Sequence, residues 1–304
     1  LDVIYYYNQA LMKSFAISAL MGAAASATLI TETEHAFMKY IAEHAKSYGT
    51  REEYTFRLQQ FARNHQNIKE FNAQANQTST MGHNHMSDWT EAEYKKILGY
   101  KPTTGVHRVK NIQKYEKSNA DGVNWVTKGA VTPVQNQKSC GSCWAFSTTG
   151  STEGAHQIKT GKLVSLSEQQ LVDCSTSEGN NGCNGGLMTD AMEYIIANKG
   201  IDSEASYPYT TSGPNQCQFN RANVAATLSS YTNVQSGDEA DLVDKIVSGP
   251  VSVGIDASHS SFQFYSGGVY YEPDCSSTQL DHGVLAAGYG VDGGSKYYLV
   301  KNSW

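Results

Sequence analysis

The chain has 304 residues, 39% of them hydrophobic and 17% charged, with a formal net charge of −6. That length suits two domains with a sizeable core, and the acidic balance argues against a nucleic-acid partner. All six cysteines follow residue 139, a clustering that fits disulfides made in an oxidising compartment.

From Met12 the chain has one basic residue, a short apolar run, and small residues ending Ala25-Ser26-Ala27. These are the parts of a secretory signal peptide cleaved after Ala27, with Met12 as the start and Leu1 to Leu11 as upstream translated sequence. Residues 1–27 are therefore set apart from the folded protein. The alternative is an N-terminal apolar helix of the fold. The run is too short to span a membrane.

Thr33 to Lys46 reads as a helix, with Phe37, Tyr40, Ile41 and His44 on one face and Gly49 as its stop. A longer helix follows over about 51–74. On it Glu53, Arg57, Phe61, Asn64, Ile68 and Asn72 keep to one face, with Glu53 and Arg57 spaced as an i,i+4 ion pair. Then comes Gly82-x-Asn84-x-Met86-x-Asp88. Asn76-Gln77-Thr78 is a glycosylation sequon. Residues 101–119, polar and holding Pro102 and Gly105, read as an extended, accessible linker, with processing near Lys117 to Asp121.

Cys140-Gly141-Ser142-Cys143-Trp144 opens the second half. A thiol at a helix start meets unpaired N–H groups and the positive end of the helix dipole, which favour the reactive thiolate. The helix from Cys143 runs to about Lys159 and stops at Gly161, with Phe146, Gly150, Gly154 and Ile158 four apart. Those small residues suit close packing in a central helix. Ser165-Leu166-Ser167-Glu168 reads as a capping box for a helix through Val172, and a third helix covers about 187–198. Beyond an Asp238 to Ser248 helix, stopped by Gly249-Pro250, the period changes. Val251 to Ile255, parts of Gly268 to Tyr271 and Tyr297 to Lys301 alternate between glycine-rich turns, as an antiparallel sheet or barrel does. His282 lies 139 residues after Cys143, and Asn302 follows twenty residues later.

These motifs together resemble the papain-like cysteine proteases, in particular cathepsin L-like zymogens. The Cys140 to Trp144 run matches the family's nucleophile signature in full. The Glu53 to Asn72 pattern and the Gly82 to Asp88 motif resemble its two propeptide motifs, with Met86 where phenylalanine is usual. Val123-Asn124-Trp125 resembles the mature N-terminus, with Asn124 replacing the usual acid. The resemblance implies an α+β, papain-like two-domain fold: a helical domain and an antiparallel β-barrel-like domain, preceded by a helical prodomain. Residues 28–118 would be an inhibitory prodomain with its linker, lying through the cleft in the reverse of substrate direction. Residues 119–304 would be the peptidase domain, ending before its C-terminal part.

The implied chemistry is peptide hydrolysis through an acyl-enzyme. Cys143 would be the nucleophile, held as thiolate by His282 imidazolium. Asn302 would orient the imidazole, Trp304 would shield that bond, and Gln137 would supply the oxyanion donor with the Cys143 N–H. Gly185 and Gly186 would pair with substrate backbone. Leu187, Met188, Gly254, Leu280 and Gly283 would line an apolar S2 pocket, and Asp281 would accept a backbone hydrogen bond. The implied disulfides are Cys140–Cys183 and Cys174–Cys217, which leaves Cys275 without a partner in this chain. No cofactor or metal is implied. The partners are protein and peptide substrates and the chain's own prodomain. The enzyme is expected to be a monomer of the secretory pathway, in a lysosome-like acidic vacuole or outside the cell. Two other readings remain: an inhibitor or binding protein whose prodomain is the active part, and a redox or metal protein using Cys140 and Cys143.

Overall fold

The computed structural model of the chain describes residues 30–101 and 122–304. The signal-like segment, the linker after Lys101 and the processing region lie outside these residues. Close contacts divide the chain into two units, 1–65 and 66–304.

In the first unit, α1 (Glu32–Glu43) starts at Thr31, whose hydroxyl accepts from the Glu34 N–H while Glu34 reaches back, a complete capping box. The helix ends earlier than its sequence period suggests. Ala45, not Gly49, takes the left-handed conformation, with φ 49°. Gly49 instead donates its N–H to the Glu53 carboxylate at 3.0 Å, before α2 (Arg51–Asn72). Phe37, Tyr40 and Phe61 form the core of this unit, with Tyr48 and Tyr54 against them.

The second unit begins with the end of α2. The Asn72 amide holds both backbone groups of Met81, at 2.8 and 2.9 Å. Met81 closes β1 (Ser79–Met81), and α3 (Glu91–Ile97) follows, capped by Thr90. After the short β2 (Val123–Asn124), α4 (Cys143–Thr160) forms the central helix and stops at Gly161, φ 75°. A β-carbon at Gly150 would stand 2.9 Å from Leu285 Cδ2, and one at Gly154 would stand 2.7 Å from Pro250. Those glycines are what let the helix lie close to its neighbours. Two more helices, α5 (Glu168–Cys174) and α6 (Met188–Asn198), complete a helical core of Trp144, Leu166, Leu171, Ile195 and Ile201. Ser167, rather than Ser165, caps α5, accepting from the Gln170 N–H at 2.9 Å. Glu168 thus becomes the first helical residue and turns inward, where Thr149 donates to it at 2.7 Å. Strands β3 (Ile201–Asp202) and β4 (Val224–Ala226) pair beside this core.

The remaining chain builds a four-stranded antiparallel sheet. It follows α7 (Glu239–Ser248), capped by Asp238. Strand β5 (Val251–Ile255) pairs with β7 (His282–Asp292), which also pairs with β2 and with β8 (Ser295–Lys301). Between them lie the one-turn α8 (Ser260–Gln263) and β6 (Tyr265–Gly268). The sequence period places a strand at Gly268 to Tyr271. The structure places it earlier, and its partner is β1, not the main sheet. Hydroxyl and backbone groups of Thr78 and Thr80 reach Val269 and Ser266, which draws this segment away from the sheet. The helical and sheet halves together make an α+β fold.

Candidate active site

Three elements converge. Cys143 is the first residue of α4 and fully buried; His282 is the first residue of β7; Asn302 directly follows β8. Because Leu285 pairs with Lys301, the start of β7 and the end of β8 lie at the same end of the hairpin. His282 Nε2 and Asn302 Oδ1 are 2.8 Å apart. An amide oxygen only accepts, so Nε2 carries the proton and Nδ1 keeps its lone pair. Nδ1 is buried and makes no hydrogen bond. The Trp304 ring lies over the imidazole, centroids 4.9 Å apart, and Phe262 adds an edge at 6.4 Å.

Cys143 Sγ accepts N–H bonds from Gly283 and Gly99, both at 3.3 Å. Gln137 Nε2 donates to the Ile97 and Cys140 carbonyls at 2.8 and 2.9 Å. Burial pushes the Cys143 thiol up to about 11, against the Gly283, Gly99 and Trp144 N–H groups, which pull it down. Burial likewise lowers His282 to about 4, against the Asn302 bond, which raises it. Both shifts favour the neutral thiol and the neutral imidazole in this covered state. The physical cause is burial: Cys143 and His282 are both fully buried, and burial penalises the charged form of each.

That covering segment is held along its backbone. Tyr100 N–H donates to the Asp281 carbonyl at 2.9 Å, Gly186 N–H to the Gly99 carbonyl at 2.9 Å, and Lys101 N–H to the Gly186 carbonyl at 3.1 Å. The bridge between Tyr100 and Gly186 is parallel. The Asp281 side chain is used elsewhere, accepting from the Ala257 N–H at 2.8 Å. The Tyr100 ring faces Gly254, where a β-carbon would stand 2.9 Å from Cζ, and it packs on the cluster that holds Met188. The Met188 sulfur lies 3.2 Å from where a β-carbon of Gly283 would be. Leu187 is buried, its N–H tied to Asn180 Oδ1 at 2.7 Å, and Leu280 is half-buried. Gly185 has φ 111°, a conformation that favours glycine.

Disulfides join Cys140 to Cys183 and Cys174 to Cys217; Cys143 is free and buried, and Cys275 is free and exposed. Three residues that the sequence reading did not single out also belong here. The Ser303 hydroxyl donates to Gln137 Oε1 at 2.7 Å, and its N–H donates to Asn302 Oδ1 at 2.8 Å. Tyr209 OH meets Ser142 Oγ at 2.6 Å and the Gln137 carbonyl at 3.1 Å. Asn180 shapes the Gly185-Gly186 turn through its bond to Leu187. Ser303 could have been found as the neighbour of Asn302; nothing local marks Tyr209 or Asn180.

A thiol at a helix start, a histidine locked by an amide, and a side-chain amide poised beside them define the cysteine-protease class of site. The sequence profile of the papain family cysteine proteases matches residues 119–304, and that of the cathepsin propeptide inhibitor domain (I29) matches residues 37–94. The chain belongs to the papain family of cysteine proteases and is a cathepsin L-like zymogen. It is 47% identical over 281 residues to cysteine proteinase 3 of Dictyostelium discoideum, covering 89% of this chain and 82% of that one. It is 44% identical over 311 residues to cathepsin L1 of Drosophila melanogaster, covering 97% and 82%. A solved digestive procathepsin L 3 from Tenebrio molitor larval midgut superposes with a TM-score of 0.81 at 38% identity, covering 90% of each chain.

Proposed function

We propose that this protease hydrolyses peptide bonds through a Cys143 acyl-enzyme, with His282, Asn302 and Gln137 as its partners. The observation that carries the reading is the 2.8 Å bond from His282 to Asn302 under the Trp304 ring, which fixes the imidazole tautomer and leaves Nδ1 for the thiol. Once chain 97–101 leaves, water re-enters and the thiol can pass its proton to Nδ1. The thiolate attacks the substrate carbonyl carbon. Gln137 Nε2, freed from the Ile97 carbonyl, and the Cys143 N–H receive the oxyanion. The imidazolium protonates the leaving amine, and neutral His282 then activates the deacylating water. Loss of one oxyanion donor typically costs about 2.7–4 kcal/mol of barrier. Gln137→Ala is thus expected to leave weak activity, whereas Cys143→Ala abolishes it. Turnover surviving in activated Cys143→Ala would overturn the assignment.

The prodomain, residues 28–118, acts on the peptidase domain, residues 119–304, as an internal inhibitor. In a substrate, the residue that fills S2 precedes the one whose carbonyl is attacked. Here Tyr100, at Gly254, follows Gly99, at the thiol, so the segment runs the other way. An N–H rather than a carbonyl carbon faces Cys143. The tyrosine ring supports an S2 pocket lined by Leu187, Met188, Gly254, Leu280 and Gly283, with a preference for Leu, Phe or other apolar P2 side chains. A peptide-library profile with Arg favoured at P2 would refute that preference. The enzyme acts as a monomer on protein and peptide substrates, within the secretory pathway, in an acidic vacuole or outside the cell. Among the described residues no helix is long and apolar enough to cross a membrane.

A further inference from the structure

We infer that Asn76 carries an N-linked glycan, attached before β1 pairs with β6 and lost with the prodomain on activation. This rests on the secretory route and on the reading of residues 28–118 as a removable prodomain. Asn76-Gln77-Thr78 fits the acceptor pattern Asn-x-Ser/Thr with x not proline, and no other triplet in the 304 residues does. Residues 73–78, between the end of α2 and the start of β1, are exposed throughout. Asn76 lies in a turn with φ 67°, a left-handed conformation that asparagine adopts more readily than most residues. Among the described residues its side-chain amide has no hydrogen-bond partner. Asn72, one helical turn earlier, is the opposite case, with both its amide atoms bonded to Met81. A bulky sugar on Asn76 Nδ2 therefore displaces no contact of the fold.

The other half of the acceptor is engaged, and that sets the order of events. The hydroxyl at the third position is what makes the triplet an acceptor. In the folded zymogen the Thr78 hydroxyl donates to the Val269 carbonyl at 2.6 Å, and the Val269 N–H donates to the Thr78 carbonyl at 2.8 Å. The backbones are pressed together here: a β-carbon at Gly268 would stand 2.3 Å from the Thr78 carbonyl oxygen. Thr78 is thus free to be read only before this pairing forms. Val269 follows it by 191 residues, which at about 5–20 residues per second leaves about 10–40 s of synthesis with the hydroxyl unpaired.

The donor is an oligosaccharide carried on a lipid pyrophosphate. The bond from Asn76 Nδ2 to C1 of the first N-acetylglucosamine forms as the bond from C1 to the pyrophosphate oxygen breaks. The lipid pyrophosphate leaves with the bonding electron pair and takes up the proton that Nδ2 loses. Residues 119–304 contain no Asn-x-Ser/Thr triplet. A lectin that reads this glycan therefore acts on the proenzyme and not on the peptidase domain.

The test expresses the full chain in a eukaryotic cell as wild type, Asn76→Asp and Thr78→Ser. Aspartate also adopts the left-handed conformation, so Asn76→Asp should fold, and Thr78→Ser keeps a hydroxyl for both the acceptor and Val269. Treatment with peptide-N-glycosidase F should shift the gel mobility of the wild-type and Thr78→Ser proenzymes and leave Asn76→Asp unmoved. Release in heavy-oxygen water should place the mark on residue 76 by peptide mass spectrometry. After acid activation the product that begins near residue 119 should show no shift. A proenzyme that lies inside membrane vesicles, protected from added protease, yet carries no sugar on Asn76 overturns the inference and leaves the secretory reading standing. A chain digested by the protease while the vesicles stay intact defeats the secretory reading and the inference with it. A glycan retained on the activated product refutes its loss with the prodomain.

Discussion

Gly99→Ala should release the active site without unfolding the prodomain. A β-carbon at residue 99 would stand 1.9 Å from the Gly141 carbonyl oxygen and 2.4 Å from its carbon. Ordinary contacts need about 3.4–4 Å, and both atoms are backbone, locked beside the Cys140–Cys183 disulfide. The segment must lift by more than an ångström. That breaks the Gly99 N–H to sulfur bond and strains the Gly186 to Gly99, Tyr100 to Asp281 and Lys101 to Gly186 bonds. At about 0.5–1.5 kcal/mol net for each of four bonds, the loss is about 2–6 kcal/mol. That is roughly thirtyfold to more than a thousandfold in the docked-to-undocked ratio. The anchors of the prodomain farther from the cleft stay in place: the β1–β6 pairing, and Asn84 Nδ2 on the Gln263 carbonyl at 2.7 Å. The assay is the rate at which an epoxide-type cysteine-protease inhibitor labels Cys143 in the unprocessed chain at neutral pH. Gly267→Ala is the control, since its β-carbon would meet nothing nearer than Thr80 Oγ1 at 3.7 Å. If Gly99→Ala labels as slowly as wild type and as the control, the close approach of this segment to the thiol is wrong.

In the proenzyme, Cys143 near pKa 11 is a neutral thiol at pH 7, so iodoacetamide should modify it slowly until the pH rises towards that value, whereas the activated enzyme reacts rapidly at neutral pH; equal rates for the two forms would contradict the neutral pair. Asn72→Ala leaves the N–H and carbonyl of Met81 without their partner amide, at about 1–3 kcal/mol for each buried group; the proenzyme should melt earlier and convert at a higher pH, and an unchanged melting curve would refute this. Burial, and then the charge of Glu153, raises the pKa of Glu168 well above its usual value, so the folded chain holds its proton more tightly than the unfolded one. That stabilisation is full below the unfolded value of 4.5 and is lost as pH rises through the folded one; Glu168→Gln should therefore flatten the fall in melting temperature between acid and neutral pH, and the same slope in the variant would show that another group is responsible.

Elements whose signal is local were legible in the sequence. The Cys143 helix and its Gly161 stop, the helix from Asp238 to Ser248 and the Val251 strand fall within a residue or so of where the sequence puts them. Where reading failed, two local signals competed and a distant contact decided. Ser165 and Ser167 both offer a cap. Glu168 settled the matter by turning towards Thr149, nineteen residues away in sequence. The strand expected at Gly268 to Tyr271 moved to Tyr265–Gly268 because its partner is Ser79–Met81, a pairing across almost two hundred residues that no period announces. Cys143, His282 and Asn302 stood out because each sits in a recognisable run of neighbours. Tyr209 did not, since its only distinction is where its hydroxyl arrives.

The same few contacts account for both the silence of the proenzyme and its readiness. Chain 97–101 occupies the groups that the proposed mechanism assigns to substrate: the Gln137 amide, the Gly186 backbone, the Asp281 carbonyl and the space over Gly254. Its direction sets an amide N–H, and not a carbonyl carbon, against the Cys143 sulfur. Burial of the site also favours the neutral thiol and the neutral imidazole. Meanwhile the Asn302 bond, the Ser303 contact to Gln137 and the Tyr209 bridge are already made. Removing the prodomain therefore requires no rearrangement of these groups. On the proposed mechanism, water entry and one proton transfer would complete the site, and the rate of activation should then follow the prodomain's hold.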